Sequence, residues 1–132
     1  MFRNLLGAAK DALIRAAAST QTLCCFLGSL TLRESLPELA AELETLLRKD
    51  NESALADQVQ SLEVVDRCRC DSSSFATIYN VPKPQGAWRG EHRNILLDTE
   101  GLTVLDIVDE RIVCIEMLDR DRITQQVHTL LP

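Results

Sequence analysis

The feature that most constrains this fold is a change in the spacing of apolar residues at Val64. Before Val64, apolar residues recur every three or four positions, which places them on one stripe of an α-helix. After it, apolar and polar residues alternate with a period of about two, which is typical of strands. The sequence therefore predicts a helical first half that is followed by a sheet.

Residues 1–62 are predicted to be mostly helical. In the segment SLPELAAELETLLRKD, Ser35 lies three residues before Glu38, which is the pattern of a capping box at a helix start. Asn51 or Ser53 is expected to cap a further helix. An amphipathic stripe precedes both helices, and its members are Phe2, Leu5, Leu6, Ala9, Leu13 and Ala16.

Residues 63–118 are predicted to form an antiparallel sheet of about five strands. The turn sequences DTEG and VDER are short enough to close hairpins, so the last three strands should form an antiparallel meander. DSSS can turn the first strand into the second, and PKPQGAWRGEH predicts an irregular loop. The predicted strands are 64–70, 74–81, 93–98, 102–108 and 111–118.

Residues 119–131 predict a short C-terminal helix that Asp119 or Asp121 caps. Helices that precede hairpin-linked strands are typical of an α+β fold, in which the helices pack on one face of an antiparallel sheet. A chain of 132 residues that is 45% apolar is long enough to bury one core. We therefore expect residues 1–132 to form a single domain.

The run RCRC at 67–70 holds two of the five cysteines. On a strand, Cys68 and Cys70 share one face and Arg67 and Arg69 share the other. An odd number of cysteines cannot pair completely within one chain, so we expect free, mostly buried thiols in a reducing cytoplasm. A C-x-C pair alone lacks the four ligands of a closed zinc site, so neither a metal nor a cofactor is expected.

Charge bears on the kind of partner. The chain carries a net charge of −6, with acidic blocks at 34–66 and 94–121. This charge argues against nucleic-acid binding, which needs a cationic surface, and suits a basic protein partner. Charged residues also interrupt the N-terminal apolar stretch, so neither a signal peptide nor a membrane span is expected. The expected partner-binding residues are Trp88, Asp98, Glu100, Asp106, Asp109, Glu110 and Glu116.

The basic residues of the predicted sheet offer an alternative. Arg67, Arg69 and Arg93, with His92 nearby, could bind a small anion or serve an enzyme, or they could pair with carboxylates across strands. The sequence has no G-x-S-x-G, no H-E-x-x-H and no phosphate-binding glycine loop, so we expect no enzyme. An oligomer such as a homodimer, formed through a sheet edge or through the N-terminal helix, is a third alternative.

Two resemblances bear on function. The stretch LADQVQSLEVVDRCRC, together with an R-I-x-x-[LI]-E pattern in the last strand, resembles a pattern in small uncharacterised bacterial proteins. The last-strand pattern is matched here by Arg111, Ile112, Ile115 and Glu116. This resemblance implies no catalytic residue. In size, acidity and α+β build, the chain also resembles immunity proteins that neutralise delivered bacterial toxins, often basic nucleases. That likeness implies a non-enzymatic antitoxin that occludes a basic partner.

Overall fold

The computed structural model describes residues 30–69 and 75–132, which form an α+β fold. The first helices are α1 (Leu32–Ser35), α2 (Pro37–Lys49) and α3 (Ser53–Gln58), and a 3-10 turn (Val59–Ser61) follows. The strands are β1 (Asp66–Arg67), β2 (Phe75–Tyr79), β3 (His92–Thr99), β4 (Gly101–Val108) and β5 (Arg111–Leu118), before the C-terminal helix α4 (Asp121–Leu130). The predicted α+β architecture is confirmed.

All pairings in the sheet are antiparallel, and the strand order is β1-β2-β5-β4-β3. The predicted meander of β3, β4 and β5 is therefore confirmed. Strand β1 is much shorter than the predicted 64–70, because Val64 leaves the ladder and donates its amide to Leu30 O at 2.6 Å. The predicted DSSS turn and the N-terminal stripe lie outside the described residues.

The main core lies between the helices and one face of the sheet. Helix α2 contributes a stripe of buried residues at the spacing that its sequence predicts, Leu39, Ala40, Leu43 and Leu47. Val127 of α4 packs into the same cluster. Alternate residues of the strands face them, because side chains two apart share a face. The buried strand residues of this cluster are Ala76, Ile78, Leu97, Leu105, Ile107, Ile112, Ile115 and Met117.

The predicted capping box at Ser35 and Glu38 is wrong. Thr31 and Glu34 use the same spacing four residues earlier, and the Thr31 hydroxyl accepts from Glu34 N at 3.1 Å to cap α1. Ser35 therefore lies inside α1 and donates its hydroxyl to Thr31 O at 2.8 Å. Leu36 becomes the N-cap of α2 and has no side-chain cap bond.

The structure also does not use four other predicted N-caps, which are Asn51, Ser53, Asp119 and Asp121. Glu52 and Arg120 are the N-cap residues of α3 and α4. Asn51 and Asp119 have φ of 63° and 55°, which is a turn conformation and not the extended one that an N-cap needs. Arg120 instead binds Glu42 at 2.7 Å, which fastens the start of α4 to α2.

A β-bulge in β5 changes which side chains face the helices. Ile112 lies opposite Ile107 and Cys114 lies opposite Asp106, so Val113 is an extra residue that has no counterpart in β4. Ile112 packs in the main core, whereas Val113 and Cys114 both belong to a second cluster. The bulge therefore places two consecutive apolar side chains on the face of the sheet that lies away from the helices.

Two leucines on neighbouring strands give a test of this arrangement. Leu105 is fully buried, so Leu105→Ala should lower the free energy of unfolding by about 2–5 kcal/mol. Leu96 is 64% exposed, and Leu96→Ala should change it by less than about 0.5 kcal/mol. Urea denaturation measures both. Equal losses for the two variants would contradict the assignment of the two faces.

Candidate binding face of the sheet

The described residues cover only half of the face of the sheet that lies away from the helices. The loop 80–91 folds over the half nearest the β4–β5 turn, where Val81 and Trp88 pack on the second apolar cluster. The other members of that cluster are Tyr79, Val108, Val113 and Cys114. Trp88, a predicted partner anchor, is half-buried in this packing, so it contributes first to holding the loop on the sheet.

Asp109 fastens this loop to the β4–β5 turn. Its carboxylate accepts from Glu91 N at 2.9 Å, and its own amide donates to Glu91 O at 2.8 Å. Asp109 and Glu110 have φ of 52° and 61°, the left-handed pair that a tight two-residue hairpin turn requires. Asp109 is therefore engaged within the protein, although sequence predicts it to contact a partner.

The other half of this face carries an apolar surface that no described residue covers. Strand register aligns Leu96 with Val104, and Leu102 with Leu118. Leu96, Leu102 and Leu118 are 64%, 37% and 39% exposed, which is high for leucine. We call this surface the uncovered patch and define it as Phe75, Thr77, Leu96, Asp98, Leu102, Val104, Glu116 and Leu118.

The charges of the uncovered patch are all of one sign. Its ionisable residues are Asp98 and Glu116, and none of its eight members is basic. Sequence analysis identified these carboxylates but missed the leucines beside them. The sequence contains a signal for these leucines. Leu96, Leu102 and Leu118 alternate along their strands with core residues, so they occupy the outward positions.

A pair of carboxyl groups lies where the uncovered patch meets the covered half. Asp106 is 8% exposed, and Asn94 Nδ2 donates to its Oδ1. Asp106 and Glu116 lie on the same face of neighbouring strands, and a hydrogen bond between them would place a proton on one of the two carboxyl groups. The Cys114 thiol lies beside them, and one potential ligand atom from each residue lies within 4.8 Å of the others.

This environment shifts two ionisation equilibria. The hydrogen bond with Asp106, and then burial, raise the pKa of Glu116 to about 7. Burial, with the charges of Asp106 and Glu116, raises the pKa of the Cys114 thiol well above its usual range. Cys114 is therefore a neutral, buried thiol, and Glu116 exchanges its proton near neutral pH.

The pair differs from several carboxylates of the described chain that arginines bind. Arg93 binds Glu52 at 2.9 Å and Glu110 at 2.7 Å, and it lowers the pKa of both carboxyl groups. Arg48 likewise binds Glu44 at 3.2 Å. Among residues 30–69 and 75–132, neither Asp106 nor Glu116 forms an ion pair; the ion pairs of that region involve other acidic residues.

The pair and Cys114 make up a donor set of three. A closed structural zinc site needs four ligands, and Asp106 is already bound by Asn94 and Glu116. A hydrogen bond between the two carboxyl groups explains why they lie together, and it needs a proton but no metal ion. We therefore describe the cluster as a proton-binding group.

The structure does not bring the three predicted anion-binding arginines together. Arg67 donates to Leu131 O and Arg69 to Pro132 O at 3.3 Å, so both bind the C-terminal end of the chain. Arg69 also pairs with Asp66 at 2.7 Å. Arg93 lies on β3, at the opposite edge of the sheet, and is bound by two glutamates.

The predicted acidic residues divide between the two ends of the β3–β4–β5 meander. Asp98 and Glu100 lie near the β3–β4 turn, whereas Asp109 and Glu110 form the β4–β5 turn. Glu100 also lines a depression of about 400 Å³ between α2 and α4. Asp98 is therefore a member of the uncovered patch and Glu100 lies next to it, whereas Asp109 and Glu110 lie at the other end of the meander.

The cysteines depart from the expectation of free thiols. Cys114 is free and buried, as expected, but Cys68 is disulfide-bonded. Cys68 also donates its amide to Thr77 O at 2.9 Å, which continues the pairing of β1 with β2. The predicted interpretation of all cysteines as packed thiols is therefore wrong for Cys68; Cys24, Cys25 and Cys70 lie outside the described residues.

Comparison with known proteins yields no relative. No protein-family model matches the chain, no curated protein matches it, and no solved structure matches it. In the described part of the chain, every helix is too short or too polar to cross a membrane. Any account of function therefore rests on the site itself.

Replacing Glu116 tests the carboxyl pair. The unfolded chain loses the Glu116 proton near pH 4.5 and the folded protein near 7, so the folded state binds more protons between these values. This contribution to the free energy of unfolding falls as pH rises from about 5 to about 7. Glu116→Gln removes this pH dependence, because glutamine does not ionise. At pH 8 the variant avoids a partly buried charge and should be more stable than the parent protein by about 1 kcal/mol, a modest value because Glu116 is partly exposed.

Thermal denaturation at several pH values measures the difference between the variant and the parent protein. Asp98→Asn is the matched control, because it also removes one carboxylate from the same face. It should preserve the pH dependence of the parent protein. A difference between Glu116→Gln and the parent that does not change with pH would contradict the shared proton.

Proposed function

We propose that this protein is a non-enzymatic binding protein that covers a basic partner protein, in the manner of an immunity protein or antitoxin. The observation that supports the proposal is the uncovered patch, in which exposed leucines are combined with carboxylates and no basic side chain. Exposed apolar surface rimmed by polar groups is typical of interaction sites. A partner that fits it offers apolar side chains together with lysine or arginine.

The two kinds of residue contribute differently to such a complex. Burial of Leu96, Leu102 and Leu118 would supply affinity and slow dissociation. Carboxylates at and beside the patch, with the net charge of −6, would steer a cationic partner and disfavour acidic ones. If the partner is a nuclease, the carboxylates would occupy the basic surface with which it binds phosphate.

The alternative of a small-anion site is not favoured by the positions of the arginines. Arg93 makes bidentate contacts of 2.9 and 3.0 Å with Glu52 and is also bound by Glu110. An anion would have to displace these carboxylates, and Arg67 and Arg69 lie at the far edge of the sheet. By contrast, no described ion pair within the protein occupies the carboxylates of the patch.

The proposal is tested by capture of proteins from the source cells with the tagged protein, followed by measurement of Kd for any purified partner. The double variant Leu96→Ala, Leu102→Ala should weaken binding by about tenfold or more, because it removes two of the three exposed leucines of the patch. Binding should also weaken as salt rises, because charges contribute to it.

Val65→Ala is the matched control, since Val65 is 39% exposed but does not belong to the patch. It should bind like the parent protein. A partner that is acidic, or one that binds the double variant and the parent protein equally well, would contradict the proposal. Circular dichroism establishes that all variants are folded.

A further inference from the structure

The carboxyl pair raises a question that the proposed binding function leaves open. Asp106 and Glu116 lie at the edge of the patch, and Glu116 is itself a member of it, opposite Val104 and Thr77. A partner that covers the patch therefore comes close to a carboxyl group that gains or loses its proton near neutral pH. Binding must either keep this proton or release it.

The surroundings of the pair leave its negative charge uncompensated. The groups nearest to it on the neighbouring strands are Asn94 of β3, Cys114 of β5, and Thr77 and Tyr79 of β2. None of these is cationic, and Cys114 is a neutral thiol. Basic groups of the described chain on the covered half of this face include His92, at the start of β3, Arg111, which lies opposite Val108, and Lys83, which lies 5.7 Å from the Tyr79 ring centroid.

We propose that docking of the basic partner is coupled to release of the proton that Asp106 and Glu116 share, so that binding strengthens as pH rises through neutrality. This inference rests on the proposed function. A lysine or arginine of the partner would take the place of the proton beside the pair. The same replacement already occurs elsewhere in the protein, where Arg93 holds Glu52 and Glu110 ionised.

Two physical effects oppose each other when the patch is covered. Burial under apolar side chains disfavours the charged carboxylate, whereas a cation within about 4–6 Å favours it. If the partner is apolar at this position, the carboxyl pair would therefore take up a proton on binding, and binding would weaken as pH rises. If the partner is basic, the pair would release a proton on binding. The sign of the pH dependence therefore indicates whether the partner is apolar or basic at this position.

The size of the effect follows from the ionisation of the free protein. With a midpoint of about 7, Glu116 in the free protein is mostly protonated near pH 6 and mostly ionised near pH 8. If the complex holds it ionised throughout, Kd should fall about tenfold between these pH values. Calorimetry in two buffers of different protonation enthalpy should detect release of up to one proton per complex.

A synthetic amphipathic helical peptide of leucine and lysine serves as the probe. Its Kd for the full-length protein is measured at about pH 6 and about pH 8, where its lysines remain charged. The parent protein should bind about tenfold more tightly at the higher pH, and Glu116→Gln should bind with little pH dependence. Asp98→Asn is the matched control and should bind more weakly but keep the pH dependence of the parent protein.

The outcomes separate this inference from the proposed function. Peptide binding that depends on Leu96 and Leu102 but not on pH would overturn the coupling and leave the patch as a binding surface. Binding that weakens as pH rises would overturn it in favour of an apolar contact. A failure to bind, or binding that the leucine variants do not affect, would overturn both proposals.

A measurement on the protein alone checks the premise. The ¹³C chemical shift of the Glu116 carboxyl, followed by NMR through a pH titration, should have a midpoint near 7. Saturation with the peptide should move that midpoint below 6, by at least about one pH unit. A midpoint near the ordinary value for glutamate in the free protein would overturn the inference without bearing on the patch.

Discussion

The alternation of side chains along each strand gives this sheet two faces, and the helices cover only one of them. Leu105 and Ile115 pack under the helices, while Val104 and Glu116, one residue away in each strand, face the opposite side. The loop 80–91 covers half of that opposite side through Val81 and Trp88. The uncovered patch is the part of the sheet that neither layer of the described chain reaches.

The distribution of charge follows the same division. On the helical side and at the strand edges, arginines hold the carboxylates: Arg93 binds Glu52, and Arg120 binds Glu42. Beside the patch, Asp106 and Glu116 contact each other, Asn94 and Cys114, and no described ion pair includes either of them. Exposed ion pairs contribute little to stability, but a partly buried carboxyl pair without a cation has an ionisation equilibrium that any docking surface would perturb.

Much of the fold could be predicted from local sequence pattern. The change of period at Val64 and the two short turns specify helices followed by an antiparallel meander, because these features depend on neighbours in the chain. The predicted cap at Ser35 failed because Thr31 and Glu34 offer the same pattern slightly earlier, and pattern alone does not rank two equivalent caps. The outward leucines could have been found from alternation, once the inward face was assigned.

The site could be predicted only in part, because it depends on strand order and register. Arg67, Arg69 and Arg93 are all basic strand residues, yet the order β1-β2-β5-β4-β3 places Arg93 at the opposite edge. Asp106 and Glu116 meet only because β4 and β5 pair with the register that precedes the bulge at Val113. The order of the strands and the position of the bulge leave no mark on the local sequence, although the hairpin turn itself does.

The central proposal is that the patch, which no described residue covers, is open in the free protein and becomes covered in a complex. Methyl NMR with a soluble paramagnetic agent tests it most directly, through the relaxation enhancement of Leu96, Leu102 and Leu118. The account predicts strong enhancement for these three leucines in the full-length protein, weak enhancement for buried Leu105, and loss of the difference when the partner binds. Enhancement as weak for the three patch leucines as for Leu105 in the free protein would contradict it.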